Sequence, residues 1–372
     1  MTTPFQFVYE FNQERVDGKP EMKDLLGGKG AGLAGMCSIG LPVPPGFTIS
    51  TRACTLFHQN QKAFRQRVWP EVLEALHRLE EVTGKQFGKT PCPLLLSVRS
   101  GAKFSMPGMM DTVLNIGLND RIVDDLLEQN EAADLVYDCY RRLLQRFGNV
   151  VMDVPRRAFE KILARRRKEK EVRYDIELEA DELGRICEEF KELIRDQSGP
   201  FPQDPVEQLR PSVEAVFQSW NNPRAVTYRQ LNDISEDLGT AVNVQMMVFG
   251  NRGADSASGV GFTRNPSTGE PGMYGEFLPR SQGEEVVAGT RTPLGLEEMM
   301  QTFPEAHHKL QEYAARLETT YREMQNFEFA IETGKLYLLQ TRDGKRTGVA
   351  AVRIARDMHQ EGLISREEAV MR

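Results

Sequence analysis

The sequence NFEFAIETGKLYLLQTR, at residues 326–342, alternates apolar and polar side chains on both sides of a central Thr333-Gly334. Alternation of period two is typical of β-strands, and a glycine between two such runs is typical of a tight turn. The stretch therefore predicts a β-hairpin, in which the pairing of the two strands decides which polar side chains lie together.

A three-residue loop of Glu332, Thr333 and Gly334, with the glycine left-handed, would sort this hairpin into one apolar and one polar face. It would pair Ile331 with Lys335, Phe329 with Tyr337, Phe327 with Leu339, and Asn326 with Gln340. A two-residue loop would instead set Glu328 opposite Leu339 and mix the two sets. We therefore expect the three-residue loop, with Phe327, Phe329, Tyr337 and Leu339 on one face and Asn326, Glu328, Gln340 and Arg342 on the other.

Two interpretations of the polar face remain open from this stretch alone. One carboxylate, two amides and a guanidinium could hold a metal ion and a polyanion. The metal ion needs oxygen ligands, and the polyanion needs positively charged hydrogen-bond donors. An antiparallel hairpin also commonly leaves one face in water without any ligand.

The composition bounds the class of protein. The 372 residues, 40% hydrophobic and 27% charged, suffice for two or three domains with their own cores. A net charge of −7 argues against nucleic acid as the main partner, because phosphate backbones attract excess Lys and Arg. The five cysteines lack CxxC spacing, which favours reduced thiols. With no signal-peptide pattern and no long apolar run, we expect a cytoplasmic protein without membrane insertion.

Two further segments carry candidate anion-binding groups. LGGKGAGL, at residues 26–33, places four glycines around Lys29, so that backbone amides could approach a phosphate at the start of a helix. It lacks the spacing of a P-loop, and glycines before a helix also occur in plain turns. The run PLLLSVRSGAKFSMPGMMDT, at residues 93–112, predicts a buried strand that ends near Arg99, followed by a Gly/Met loop. A phosphate clamp and a surface salt bridge both remain open for this arginine.

The rest of the chain reads as helices and strands in blocks. Residues 119–197 are predicted to be helical almost throughout, with their basic run RRRK on a solvated face, and SGPFPQDP ends the block at residues 198–205. The β-prone run GTAVNVQMMVFG follows at residues 239–250, then a helix over residues 294–324 leads to the hairpin. We expect an α/β (α+β) protein.

Five motifs together resemble the amino-terminal nucleotide-binding domain of the pyruvate, phosphate dikinase family. They are LGGKGAGL, SVRSGAKFSMPGMMDT, SGVGFTRNPSTGE, GEEVVAGTRTP and LLQTRDGKRT, and they are spread over essentially the whole chain. The resemblance implies a two-lobed ATP-grasp fold with an inserted helical subdomain. It places the first lobe at residues 1–118 with 198–238, the insertion at 119–197, the second lobe at 239–343 and a helical tail or linker at 344–372.

The resemblance also implies roles for individual residues. Lys29, Arg99 and Arg142 match triphosphate-binding or further basic positions, and Gln245, Met247 and Val248 match a strand that receives adenine. Glu276 matches an acidic residue that lines the ATP cleft, and Arg342 a catalytic position that binds phosphate. Glu328 and Gln340 match positions that hold Mg²⁺, to which Asn326 adds an amide oxygen. The family carries Asp at the position of Asn326, so this chain has one negative charge fewer there.

The resemblance finally implies a phosphotransferase that binds Mg-ATP and phosphorylates a histidine. In the family that histidine lies on a swivelling domain, which a barrel domain for pyruvate and phosphoenolpyruvate follows. None of the five histidines here has the family's Thr-Ser-His-Ala context, so the acceptor must come from elsewhere in the protein or from another chain. Two alternatives remain: a nucleotide-binding module without turnover, and a sister dikinase resembling phosphoenolpyruvate synthase with another acceptor.

Overall fold

The computed structural model describes residues 6–129, 131–283 and 291–372, which form two compact units. The first comprises Met1–Ala31 with Pro45–Met247, and the second Gly32–Pro44 with Val248–Arg372. Both combine helices with an antiparallel sheet, so the expected mixed α/β class is confirmed at that level. Among the residues described, no helix has the length and apolar character needed to cross a bilayer.

The first unit is built on a five-stranded antiparallel sheet of strand order β1-β2-β7-β5-β6. Its strands are β1 (Val8–Phe11), β2 (Gly46–Ile49), β5 (Leu96–Gly101), β6 (Thr112–Ile116) and β7 (Ala241–Met246), and a separate parallel pair is formed by β3 (Gln86–Phe87) and β4 (Pro93–Leu94). β7 lies at the centre of this sheet because it pairs with both β2 and β5. The expected start of the second lobe at residue 239 is therefore wrong, since long-range pairing places β7 in the first unit.

Ten helices of the described chain begin in the first unit. They are α1 (Lys23–Ser38), α2 (Thr51–Gln59), α3 (Gln61–Arg67), α4 (Trp69–Thr83), α5 (Asp120–Glu128), α6 (Ala133–Val150), α7 (Arg156–Glu169), α8 (Ala180–Ser198), α9 (Pro205–Ser219) and α10 (Pro223–Leu231). The predicted helical block at 119–197 corresponds to α5–α8, packed through the buried rings of Phe159 and Phe190. Its basic run is ion-paired within the block, for example Arg166 with Glu182 and Arg167 with Asp175.

The second unit contains another five-stranded antiparallel sheet, of strand order β10-β9-β8-β11-β12. The strands are β8 (Ala257–Arg264), β9 (Pro271–Pro279), β10 (Leu294–Gly295), β11 (Gln325–Glu332) and β12 (Lys335–Asp343). The helices are α11 (Leu296–Thr302), α12 (Pro304–Tyr321), α13 (Gly348–Gln360) and α14 (Arg366–Met371). The single helix expected over residues 294–324 is divided at Phe303, because Pro304 starts a new helix. Residues 284–290 of the GEEVVAGTRTP motif lie outside the described residues.

The hairpin of β11 and β12 forms, but the expected three-residue loop is wrong. Glu332 pairs with Lys335 across a two-residue turn, whose Thr333 and Gly334 have φ values of 49° and 73°. Positive φ at both positions is typical of a type I′ turn, whose twist matches the twist of the strands. Phe329 therefore pairs with Leu338 and Ala330 with Tyr337, rather than Phe329 with Tyr337 as expected.

A β-bulge corrects the register further along the same hairpin. The pairing shifts between Phe329 and Glu328, so that β12 has one extra residue, Leu339, between Leu338 and Gln340, and Glu328 pairs with Gln340. One extra residue reverses the alternation of β12 and returns the polar side chains to one side of the sheet. The expected polar set of Asn326, Glu328, Gln340 and Arg342 is thereby confirmed on one face, whereas Tyr337 and Leu339 do not join Phe327 and Phe329 on the other.

Two glycines of the SGVGF segment determine how the hairpin lies on β8. Gly259 pairs with Phe329 and Gly261 with Phe327. A Cβ added at either glycine would come within 2.5 and 2.6 Å of the paired phenylalanine ring. Only glycine leaves room for the two buried rings, so the Phe-x-Phe and Gly-x-Gly patterns form one packing unit across the strands.

The tail helices α13 and α14 belong to the second unit. Met324, Ala350, Ile354, Met358 and Ile364 form a buried cluster. The buried guanidinium of Arg264 on β8 also forms ion pairs with Glu318 of α12 and Glu361, which follows α13. The expected tail at residues 344–372 is thus packed on the sheet by both apolar and charged contacts.

Gly27 provides a test of the backbone geometry in α1. Its φ and ψ of 67° and 173° are accessible to glycine alone, and an added Cβ would lie 1.5 Å from the Gly101 carbonyl oxygen. We expect Gly27→Ala to reduce the free energy of unfolding by about 3 kcal/mol or more, because backbone must move. Gly334→Ala is the matched control: its φ is also positive, but nothing lies within 4 Å, so strain alone should cost about 1 kcal/mol. Equal losses in urea denaturation would contradict the close approach of Gly27 to Gly101.

Candidate functional site

Lys29 lies in α1, immediately after the irregular backbone of Gly27. The Gly28 amide donates to the Ala102 carbonyl at 2.9 Å, and the Lys29 ammonium donates to the Ser100 carbonyl at 2.9 Å. Both contacts hold the start of the helix against the end of β5. The glycines thus serve close backbone packing in this structure, and they place a half-buried ammonium beside the strand that carries Arg99.

A polar face on the first sheet surrounds Arg99. Its guanidinium donates to the side-chain oxygen of Gln245, which lies on the neighbouring strand β7. Asn243 pairs with Arg99, and its side-chain oxygen accepts a hydrogen bond of 2.8 Å from Thr48. Gly30 of α1 passes over this pair, since an added Cβ would lie 2.8 Å from Thr48 and 3.0 Å from Asn243. Lys29, Arg99 and Gln245 therefore lie around the part of α1 that follows Gly27.

Asn243 and Thr48 were not identified from the sequence. Both are fully buried polar residues on the sheet face that also carries Arg99 and Gln245. A signal was present in the run AVNVQM, where two amides recur with period two inside an otherwise apolar strand. Such a pattern indicates a strand with one polar face that is nonetheless covered.

The expected adenine-binding residues lie at the end of β7. Gln245 is the penultimate residue of the strand, and Met247 follows it, with its amide donating to the Leu95 carbonyl at 2.8 Å. Val248 begins the longer of the two segments of the second unit and is buried. Gln245 and Met247 thus lie in the first unit, whereas Val248 is the residue at which the chain returns to the second.

Arg142 lies apart from these residues in the helical block, on α6. Its Nε donates to Asp138 at 2.8 Å, and Arg141 donates to the other oxygen of the same carboxylate. Burial raises the pKa of Asp138, but the charges and hydrogen bonds of Arg142 and Arg141 outweigh it and lower the pKa to about 2. The carboxylate therefore stays ionised and orients the Arg142 guanidinium.

The second sheet brings residues from three separate segments into one row. Glu276 on β9 pairs with Val260 on β8, Val260 with Glu328 on β11, and Glu328 with Gln340 on β12. Directly paired residues of a sheet point to the same face. Glu276, Glu328 and Gln340 consequently share a face, although more than sixty residues separate the first from the last in the sequence.

A second row lies beside the first on the same face. Asn326 pairs with Arg342, and its side-chain oxygen accepts a hydrogen bond of 2.8 Å from the Arg342 Nε. In the first row the Gln340 amide donates to Glu328 at 3.4 Å. All five expected residues of the second unit other than Val248 are therefore neighbours on one sheet face.

The side chains expected to bind a metal ion on this face include few acidic groups. Among the described residues, no three His, Cys, Asp or Glu side chains gather as metal ligands. The expected metal-binding residues are one carboxylate, Glu328, with the two amides Gln340 and Asn326, and Asn326 already accepts from Arg342. The expected metal ligands therefore combine one carboxylate with two amides, beside the guanidinium of Arg342.

Comparison with known proteins identifies the class of domain first. The model of the family described as "Pyruvate phosphate dikinase, AMP/ATP-binding domain" matches residues 23–68, 58–302 and 297–363. Pyruvate, phosphate dikinase of Clostridium symbiosum is 50% identical over 369 residues, 99% of this chain and 42% of its own length. The Rhizobium meliloti (strain 1021) protein of that name is 50% identical over 380 residues, which cover 99% of this chain and 42% of the relative's length. Pyruvate, phosphate dikinase 2 of Oryza sativa subsp. japonica is 52% identical over 366 residues, which cover 98% of this chain and 41% of the relative's length.

The chain carries an AMP/ATP-binding domain, and it belongs to the pyruvate, phosphate dikinase family. The resemblance found in the sequence motifs is confirmed. The chain spans about two fifths of the length of the curated relatives it matches, at 41–42% for these three.

The Asp138 carboxylate makes stability depend on pH. Its pKa is about 2 in the folded chain against an ordinary value of 3.8, so its contribution is complete above pH 4 and lost as the pH falls towards 2. The difference corresponds to about 2 kcal/mol at pH 7, and roughly half of it should remain at pH 3. In urea denaturation we expect the difference in the free energy of unfolding between the wild type and Asp138→Asn to decrease as the pH is lowered from 7 to 3. Asp196→Asn, at a side chain that is 72% exposed, is the control, and a gap that is constant with pH would refute the pairing.

Proposed function

We propose that the chain is an ATP-grasp-type domain that binds Mg-ATP and transfers a phosphoryl group to a histidine of another domain. The observation that carries the proposal is the shared sheet face of Glu276, Asn326, Glu328, Gln340 and Arg342, which come from distant segments. The membership of an AMP/ATP-binding family supports a nucleotide as the ligand.

The cationic side chains suit a triphosphate. In the first unit Lys29 supplies an ammonium and Arg99 a guanidinium, and in the second unit, considered by itself, Arg342 supplies a guanidinium. Guanidinium groups bind phosphate oxygens in pairs, whereas an ammonium acts as a point charge. Arg142 would add a fourth positive charge, oriented by Asp138. Stabilisation of charge and positioning of the phosphates account for most of the catalysis of phosphoryl transfer.

The second sheet fits a magnesium ion held together with its nucleotide. Mg²⁺ usually keeps several waters and binds through one or two carboxylates plus substrate phosphates, so Glu328 and the Gln340 oxygen suffice on the protein side. Asn326 can contribute an oxygen only by sharing the one that accepts from Arg342. Bound there, Mg²⁺ would neutralise charge on the phosphate oxygens.

By this proposal, other domains supply the histidine that accepts the phosphoryl group and carry out the later steps of the reaction. The relatives are more than twice as long as this chain, which supports a swivelling phosphohistidine domain and a domain for pyruvate and phosphoenolpyruvate, in the same protein or another. The complete reaction would convert ATP, phosphate and pyruvate into AMP, pyrophosphate and phosphoenolpyruvate. A test mixes the chain and Mg-ATP with a separately produced histidine domain of a relative, and follows label from the β-phosphate to the histidine together with AMP release.

The second candidate function is a nucleotide-binding module without turnover. Asn326 favours it, because an amide at that position brings no charge to the metal. The labelling experiment separates the two functions, since ATP binding without labelled histidine would support the module.

Arg99→Ala tests the triphosphate role of the first unit. We expect the dissociation constant for ATP to rise about 10- to 100-fold, as for loss of a charge-assisted contact to phosphate, and that for AMP to change about twofold or less. Isothermal titration calorimetry with both nucleotides measures the difference. Arg121→Ala, at an arginine that is 87% exposed, is the control for charge alone. Equal losses for ATP and AMP would contradict the triphosphate role.

Glu328→Gln tests the metal side. The substitution keeps the shape of the side chain but removes the anionic ligand, so Mg²⁺ should stimulate ATP binding at least about tenfold less than in the wild type. Glu332→Gln is the matched control, since Glu332 lies on the same strand and the same face, next to the turn. An unchanged response to Mg²⁺ in Glu328→Gln would refute the assignment of this face.

A further inference from the structure

The side chain of Asn326 links three strands of the second sheet. It lies on β11, and its Nδ2 donates to the Gly261 carbonyl on β8 at 3.0 Å. Its Oδ1 accepts from the Arg342 Nε on β12 at 2.8 Å. The residue is buried, with 7% of its surface exposed. Both ends of the amide are therefore committed to neighbours within the protein.

This arrangement requires a neutral amide. One end of the side chain must donate to a carbonyl and the other must accept from a guanidinium; the Asn amide does both, whereas an ionised Asp of the same shape can only accept. A carboxylate would bring a second oxygen against the Gly261 carbonyl. An apolar side chain would leave the buried carbonyl and the guanidinium without this partner. The chemistry of the site thus explains why an amide fits at this position without any metal.

The contact with Asn326 restricts the conformation of the Arg342 side chain. It is an exposed residue near the end of an edge strand, where a long side chain with many rotamers would otherwise sample many directions. The hydrogen bond from its Nε to a buried, doubly bonded amide restricts the guanidinium plane. The neighbouring pair, Gln340 and Glu328, is connected in the same way across the same two strands. The hairpin consequently holds its cation and its carboxylate in adjacent, separately anchored pairs.

We propose that Asn326 is a positioning residue, which orients Arg342 towards the phosphates of ATP and does not ligate the metal. The inference rests on the proposed function, because it assigns the ligand of Arg342. It divides the polar face into two parts: Glu328 with Gln340 serves the metal, and Asn326 with Arg342 serves the polyphosphate.

A double-mutant cycle tests whether Asn326 acts through Arg342. We expect Asn326→Ala to raise the dissociation constant for Mg-ATP about tenfold, as for loss of one hydrogen bond to a charged group. Arg342→Ala should raise it further, and the double variant should equal Arg342→Ala, because nothing remains to be positioned. Independent, additive losses in calorimetry would overturn the proposal.

A magnesium titration separates positioning from ligation. The Mg²⁺ concentration for half-maximal ATP binding should be the same in Asn326→Ala and the wild type, whereas Glu328→Gln should require more. A clear shift in Asn326→Ala would show that Asn326 ligates the metal and would overturn the positioning role.

Gln325→Ala is the matched control for loosening of the hairpin. Gln325 is also buried, and its amide links the same two strands on the opposite face, through Asp343 and Thr341. It does not contact Arg342 in the described hydrogen bonds, so its loss should leave the affinity for Mg-ATP within about twofold of the wild type. A tenfold loss of affinity for Mg-ATP in Gln325→Ala would show that general loosening of the hairpin accounts for the effect of Asn326→Ala, and it would overturn the positioning role.

A measurement without nucleotide distinguishes failure of this inference from failure of the proposed function. The Nε–H signal of Arg342 in a ¹⁵N–¹H spectrum should be protected from exchange in the wild type and in Gln325→Ala, and should shift and exchange faster in Asn326→Ala. An unchanged signal would overturn the positioning role even if ATP binds. A protected signal in a wild-type chain that fails to bind Mg-ATP would overturn the proposed function instead.

Discussion

The pairing of β11 with its two neighbours is the constraint on which the second unit depends. On β8 it is fixed by Phe327 and Phe329, whose rings lie over Gly261 and Gly259. On β12 it is fixed by the tight turn at Thr333-Gly334, which alone would set polar residues opposite apolar ones. The bulge at Leu339 reconciles the two requirements, because one extra residue reverses the alternation of β12. The polar face of the sheet follows from that single adjustment.

Both units use an antiparallel sheet with a polar face, but they arrange their charges differently. In the first, the Lys29 ammonium donates to a backbone carbonyl and the Arg99 guanidinium donates to the side-chain oxygen of Gln245. In the second, the guanidinium of Arg342 and the carboxylate of Glu328 are each bonded to an amide. An amide partner orients a charged group through a hydrogen bond without bringing an opposite charge of its own. Arg142 differs, because a carboxylate with a lowered pKa holds it.

The ion pairs elsewhere serve the fold. Arg264 lies at the start of the TRNPSTGE segment, and it joins β8 to α12 and to the end of α13. A motif that carries the resemblance to the pyruvate, phosphate dikinase family therefore contributes to holding the last helices on the sheet, as does the apolar cluster of Met324 and Ile354.

The sequence by itself determined the existence of most strands and helices, the family, and the set of polar residues that share the hairpin face. Those features depend on local alternation, on turn residues and on motifs. It did not determine the two-residue turn, the bulge, the central place of β7 in the first sheet or the buried pair of Thr48 and Asn243. The turn and the bulge depend on the register that β8 imposes on β11, and the other two features depend on which distant strand lies alongside. The alternation in AVNVQM indicates a polar face on β7, but it does not indicate which strands pair with it. The tertiary structure also decided the partners of Asn326, because the Gly261 carbonyl and the Arg342 guanidinium meet only when three strands are in register.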